Sequence, residues 1–262
     1  MNRIFITKLK NVSKNKVIGL IQARMNSERL PGKVLLPILG KPVIWHMHNR
    51  LKQSKLLDSV VISTSSNKEN QQIRDFASNE NIPFFSGSEL DLLDRMYQAA
   101  LQYNATTVVR ITGDCPFVDP QIVDAMLSEY FKKKTQYDLA LNSQIHTFPH
   151  GLEVEIYPIE TLKKLLSKIS QPEFREWFII YLFKHDKDFK ILNITNKKNL
   201  SKIRLTIDYQ EDYEFTKSVY QELYRDNHIF LMDEIIDLLS RKPELLKINS
   251  KYSDHRNIDA PI

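Results

Sequence analysis

The chain has 262 residues, one cysteine (Cys115) and a formal net charge of +5. That length suits one large domain with a full core. A single cysteine excludes an internal disulfide and reads as a reducing, cytoplasmic setting, and no run of roughly 18 apolar residues is present to span a membrane. The basicity is local. Residues 1–16 hold Arg3, Lys8, Lys10, Lys14 and Lys16 and no acid, and without those five the bases and acids balance. The body therefore offers no basic stripe for nucleic acid. Residues 1–16 read as a loosely ordered extension, with no long apolar segment of the signal-peptide kind.

In chain order, Val17–Gln22 reads as a strand, Pro42–Gln53 as a helix and Val60–Thr64 as a strand. Glu69–Asn79 reads as a helix, Pro83–Phe85 as a short strand and Leu90–Gln102 as an amphipathic helix. Thr107–Ile111 is then a strand and Pro120–Phe131 a helix. This alternation predicts an α/β fold, a Rossmann-like and mostly parallel sheet flanked by helices. Ligands of such sheets sit outside the carboxyl ends of the strands.

From about residue 138 the pattern changes. Asp138–Asn142 and Leu152–Tyr157 read as strands joined by Ser143–Gly151, and helices follow near Glu160–Lys168 and Glu173–Phe183. Lys190–Ile194 and Ile203–Ile207 read as strands, Asp212–Tyr224 and Asp233–Leu239 as helices, and 241–262 as a surface-wrapping tail. No internal repeat or low-complexity linker divides the chain. Residues 17–245 are expected to form one domain and 246–262 a C-terminal tail.

Five stretches carry chemistry. After the first strand, Arg24, Arg29 and Lys33 converge on a short loop containing Gly32. Cations and backbone amides placed there cradle phosphates. The loop has neither the Walker pattern nor the Gly-x-Gly-x-x-Gly fingerprint. After Ile111, the run Thr112-Gly113-Asp114-Cys115-Pro116 delivers a carboxylate to the ligand edge of the sheet. Asp114 reads either as a Mg²⁺ ligand or as a turn residue. Asp119 before Pro120 reads as a helix N-cap.

In Arg204–Tyr213, Asp208 is the candidate second metal ligand, and Asp212 reads as an acid in a helix's first turn. In Phe148–Tyr157, strand alternation puts Glu153 and Glu155 on one face, either for an acceptor or as a solvated edge. In Gly87–Arg95, Asp91, Asp94 and Arg95 read as charge pairs on an amphipathic helix. Trp45 reads as core and Cys115 as a buried or lining thiol. His46 and His48 do not share a helix face, which argues against a metal pair.

Three of these runs, in order, carry a family resemblance: Ala23-Arg24-x-x-Ser27-x-Arg29-Leu30-Pro31-Gly32-Lys33, Thr112-Gly113-Asp114-Cys115-Pro116 with Asp119-Pro120, and Leu205-Thr206-Ile207-Asp208 followed by Glu211-Asp212. Over about Val17 to residue 245 the chain resembles the SpsF-like branch of the cytidylyltransferases that activate acidic sugars, relatives of the CMP-sugar synthetases. The resemblance implies a nucleotide-diphospho-sugar transferase fold with a small dimerisation and acceptor lobe. It implies Mg²⁺-dependent transfer of CMP from CTP to a small acidic sugar or hydroxy acid of a surface-polysaccharide pathway, with release of pyrophosphate, and a homodimer by analogy.

By the same resemblance Arg24, Lys33 and Asp114 are the catalytic residues. Gln22, Ala23, Arg24, Ser27, Arg29, Lys33 and Arg95 face the nucleotide. By this resemblance Asp114 and Asp208 would hold Mg²⁺, and His150, Glu153 and Glu155 are the candidates to face the acceptor. Two departures fall in the acceptor half. Pro149-His150-Gly151-Leu152-Glu153-Val154-Glu155 stands where the branch has Pro-Asp-Gly-Leu-Asp-Val-Glu, and Glu173-Phe174-Arg175-Glu176-Trp177 stands where it has Glu-Arg-Glu-His. A glycosyltransferase of similar architecture is a rival reading. It would carry Asp-x-Asp where this chain has Thr-Gly-Asp-Cys. A non-catalytic nucleotide-binding homologue is the other.

Overall fold

The computed structural model describes residues 15–253. Residues 1–14, most of the basic extension, and 254–262 lie outside the described residues. Among the described residues no helix is long and apolar enough to cross a membrane.

The first half alternates as its pattern predicts. Strand β1 is Val17–Gln22, and a small antiparallel ribbon follows from β2 (Pro37–Ile38) and β3 (Lys41–Pro42). Helix α1 (Val43–Leu51), β4 (Ser59–Ser65), α2 (Gln71–Asn79), β5 (Phe84–Gly87), α3 (Leu92–Gln102), β6 (Thr107–Thr112) and α4 (Pro120–Lys133) complete it. Asp119 caps α4 by accepting the amides of Gln121 and Ile122 at 2.8 and 3.3 Å. Asp91 caps α3 through the Asp94 amide at 2.8 Å. Both caps fix where a helix leaves the ligand edge.

The second half adds β7 (Leu139–Leu141), β8 (Glu155–Pro158), α5 (Ile159–Lys168), α6 (Pro172–Glu176), α7 (Phe178–Lys184), β9 (Ile191–Asn193), α8 (Gln210–Leu223) and α9 (Met232–Arg241). The main sheet runs β5-β4-β1-β6-β8-β7-β9. Among these seven strands β8 alone runs against the rest.

Alternation along β1 sends Val17 and Ile21 to one face and Ile18 and Leu20 to the other, so the sheet carries two cores. Helices α1, α2, α4, α8 and α9 cover the first face, and α3, α5 and α7 the second. Val43, Ile44, Met47 and Leu51 of α1 are fully buried, each worth about 1.5–3 kcal/mol of apolar transfer.

The structure corrects four expectations. Ile203–Ile207 is not a strand of the sheet. It crosses the carboxyl edge instead, bonded through the Leu205 amide to the His150 carbonyl (2.6 Å) and the Ile207 amide to the Asp114 carbonyl (2.8 Å). The Leu152–Tyr157 strand starts only at Glu155. Ahead of it, the Asn142 side chain takes up the Leu152 carbonyl and the Val154 amide, replacing ladder bonds. The single helix over 173–183 is two, broken at Trp177 (φ −107°, ψ 42°). Finally, residues 243–252 do not merely wrap the surface. They form two 3₁₀ turns, and Asn249 between them is buried.

Candidate active site

The carboxyl ends of β1 and β6 lie side by side, with Gln22 in register with Thr112. Just past them the Gly113 amide donates to the Gln22 carbonyl at 2.7 Å. A Cβ at 113 would stand 2.5 Å from that oxygen, so only glycine lets the two loops close. The basic loop leaves β1 here. The Ala23 amide donates to Ser63 and the Met25 amide to the Asn70 side chain, both anchoring it to the β4 side. Ser27 and Gly32 both donate their amides to the Met25 carbonyl, at 3.0 and 2.9 Å, which curls the loop. Gly32 takes φ +71° and opens a 3₁₀ turn that aims Lys33 inward.

Lys33 is where the segments meet. Its ammonium donates to Asp114 Oδ2 at 3.0 Å, Asp208 Oδ1 at 2.8 Å and the Ile207 carbonyl at 2.7 Å. Those three bonds use every proton of the group. Burial opposes its charge, but the two carboxylates more than offset this and raise its pKa. Burial likewise works against the Asp114 carboxylate, yet Lys33 and the Thr112 hydroxyl hold it well below the usual range. The predicted pair Asp114 and Asp208 therefore does converge, 94 residues apart in sequence.

Asp208 is pinned from behind. Arg204, 1% exposed, reaches Asp208 Oδ2 at 3.0 Å and grips both oxygens of Asp212 at 2.8 Å. Asp212 also accepts the backbone amides of Asp208 and Tyr209, at 3.0 and 3.1 Å, and the Asn249 amide group at 3.0 Å. It does more than complement a helix dipole: it locks the turn that carries Asp208. Arg29 joins the same wall, with its guanidinium 3.1 Å from the Tyr209 hydroxyl and 3.8 Å from Asp208. Tyr209 in turn stacks on Tyr252 at 3.7 Å between ring centres.

On the other side lies a second charged group. Arg24 pairs with Glu176 of α6 at 3.2 Å. Arg110 on β6 pairs with Glu155 at 2.5 Å and donates to the Gln22 side chain at 3.0 Å, while Tyr157 donates to Glu155 at 2.6 Å. Glu153 accepts the Gly151 amide at 2.7 Å. Burial first, and the nearby Asp114 and Glu155 charges, push its carboxyl up to about 7. His150 sits 3.2 Å from Arg204; burial and that guanidinium lower it to about 4, so it is neutral.

Arg95 is buried rather than on the surface. Its guanidinium donates to the Ser88 carbonyl and, at 3.3 Å, to that of Glu89, and burial lowers its pKa. Arg95 Nε and Glu176 Oε2 are both buried without a protein partner. Asp91, besides capping, pairs with Arg175 at 3.2 Å. The Cys115 thiol is buried and raised by that burial, which leaves it inert.

Among the described residues no three acids, thiols or histidines gather as a self-sufficient metal centre. Two carboxylates beside a basic loop suit a hard cation that brings its remaining ligands as phosphate and water. Sequence reasoning did not assign Arg110, Glu176, Arg204, Asp212, Tyr209 or Asn249 to the site. Arg110 and Arg204 were legible in principle, as bases inside otherwise apolar runs.

A family described as cytidylyltransferase matches residues 18–236. The chain belongs to the cytidylyltransferase family. It is an α/β enzyme of the nucleotidyltransferase kind, and its first-loop, Asp114 and Asp208 runs are the segments now seen to meet at Lys33. A cytidylyltransferase from Leptospira borgpetersenii is 34% identical and superposes with a TM-score of 0.84, over 88% of this chain and 97% of that one. The spore coat polysaccharide biosynthesis protein SpsF of Bacillus subtilis is 31% identical over 88% of this chain and 96% of its own length. A 3-deoxy-manno-octulosonate cytidylyltransferase of Lawsonia intracellularis is 31% identical over 53% of this chain and 56% of its own.

Proposed function

We propose that this cytidylyltransferase moves CMP from CTP to a hydroxyl of a small acidic sugar for surface-polysaccharide synthesis, releasing pyrophosphate. The observation that carries the reading is the meeting of Lys33, Asp114 and Asp208 at the carboxyl ends of β1 and β6, with Arg24 and Arg29 on the same loop. Relatives named for SpsF and for a sugar-acid cytidylyltransferase support the acceptor class.

The acceptor hydroxyl attacks the α-phosphorus in line, and the bond to the pyrophosphate oxygen breaks. Arg24, Arg29 and Lys33 bind the triphosphate and stabilise the leaving pyrophosphate, the charge-and-position economy typical of phosphoryl-type transfer. Asp114 and Asp208 are the residues that would hold Mg²⁺, which when bound neutralises charge on the reacting phosphate. In this reading Glu153, whose carboxyl lies near 7, receives the acceptor's proton. The Arg110–Glu155 pair and, on the Arg204 side, His150 orient the sugar in the same reading.

The test is pyrophosphate release from CTP with a panel of sugar acids, with UTP, GTP and ATP as competitors. CTP-selective turnover with at least one sugar acid, absent in Asp114→Asn, supports the reading. Turnover with a nucleotide sugar as donor, and none with CTP, would overturn it.

A further inference from the structure

We infer that the Lys33 ammonium is a place-holding cation: it occupies the corner between Asp114 and Asp208 until a triphosphate draws it away, so that a divalent ion enters only together with the nucleotide. The inference rests on the proposed nucleotidyl transfer and concerns how its site is loaded.

Three observations carry it. The ammonium touches both carboxylates, at 3.0 and 2.8 Å, and its third proton is held by the Ile207 carbonyl. A cation bonded to the same two oxygens must come within contact of that nitrogen, and two positive charges in so buried a corner repel strongly. Within this ion-paired cluster the charges already balance. Asp114, Asp208 and Asp212 face Lys33, Arg29 and Arg204, linked by ion pairs of 2.8 to 3.8 Å. A free divalent ion therefore finds no net attraction. A polyphosphate does, because it offers Lys33 and Arg29 new acceptors and leaves the two carboxylates exposed to the ion it carries. Lys33 stands on a 3₁₀ turn behind Gly32, on the loop that also bears Arg24 and Arg29, and its four-carbon stem is flexible, so the ammonium can follow a triphosphate bound by that loop.

The device has a counter-intuitive signature: deleting a lysine should improve the binding of a cation. The experiment titrates Mn²⁺ alone into the full chain, read by electron paramagnetic resonance of free Mn²⁺, and repeats it with CTP present. Wild type should bind Mn²⁺ alone weakly, and CTP should tighten the apparent Mn²⁺ affinity by about ten-fold or more beyond that of the Mn²⁺–CTP pair in solution. Lys33→Met, checked for cooperative melting, should bind Mn²⁺ alone about ten-fold more tightly than wild type and lose the coupling to CTP. Asp114→Asn should abolish the gain in the double variant. Micromolar binding of Mn²⁺ alone to wild type would overturn the inference without any variant. A folded Lys33→Met with no gain in Mn²⁺ affinity would also overturn it. Calorimetry of CTP on wild type separates this from the functional reading, since CTP binding without the lysine effect sinks only the place-holder.

Discussion

Gly113 and Gln22 are joined by a 2.7 Å bond from amide to carbonyl that closes the first and second motif loops onto each other. A methyl group at 113 would meet the Gln22 carbonyl at 2.5 Å and the Ala23 Cα at 3.2 Å, both backbone atoms that cannot swing aside. Gly113→Ala should therefore move Asp114 away from the basic loop. We expect a stability loss of about 1–3 kcal/mol by denaturant unfolding. Turnover should fall about 100-fold, the scale on which small misplacements act.

Asp114 and Asp208 should answer differently to the same change. Asp114 lies at the mouth of the site, its side chain 20% exposed, whereas Asp208 is 4% exposed and pinned by buried Arg204. Asp114→Asn should cut pyrophosphate release by about 10²–10³-fold while melting stays cooperative. Asp208→Asn should add a stability loss of about 3–5 kcal/mol, because it leaves a buried guanidinium under-compensated. Equal stability loss in both variants would contradict this asymmetry.

Glu153 and His150 predict opposite pH effects on the unliganded chain. The Glu153 carboxyl rises from 4.5 to about 7 on folding. Between those values the folded state keeps a proton that the unfolded state has lost, so this contribution is full below the lower value and fades as pH climbs through the upper one. His150 drops from 6.5 to about 4, so its contribution is full above 6.5 and is lost as pH falls toward 4. Glu153→Gln should flatten the decline in melting temperature between about pH 4.5 and pH 7, and His150→Gln the opposing decline as pH falls from about 6.5 toward 4. Unchanged slopes in both variants would remove the assignment.

The Arg110–Glu155 pair is structural as well as positional. Both side chains are largely enclosed, and Gln22 and Tyr157 complete their bonding. Glu155→Ala should cost about 3–5 kcal/mol by leaving Arg110 buried and uncompensated. Combining Arg110→Met with Glu155→Leu should recover most of that stability but no acceptor turnover. Denaturant midpoints of the single and double variants decide it.

Tyr252 bears on the proposed triphosphate-binding Arg29 at one remove. Its ring stacks on Tyr209, whose hydroxyl holds Arg29. Tyr252→Ala should raise the half-saturating CTP concentration by about three- to ten-fold, the worth of one aromatic stack, with a smaller change in maximal rate. Tyr252→Phe keeps the stack and should restore near-normal values.

Periodicity made the parallel half legible. The alternation of Val17–Gln22, Val60–Thr64 and Thr107–Ile111 is set by local pattern, and those strands stand within a residue of where it puts them. The three motif runs also marked Lys33, Asp114 and Asp208. Ile203–Ile207 misled because an extended apolar segment looks the same whether it joins a ladder or bridges two loops. What decides is Gly151, at φ +102°: a Cβ there would stand 2.7 Å from the Leu205 carbonyl oxygen, so only glycine lets the 203–207 segment close onto this loop. The roles of Glu176 and Asn249 were hidden for a related reason. Each acts on a residue far away in sequence, and neither spacing nor composition encodes such a meeting.

Asn249 and Tyr252 lie beyond residue 236, where the family match ends, yet they brace the turn that presents Asp208. During synthesis the sheet, the basic loop and both carboxylates leave the ribosome before that brace does. A nascent chain is therefore expected to fold its core first and to acquire nucleotide affinity only with its closing turns. A protease cut just ahead of Asn249 would reverse that last step while leaving the sheet standing.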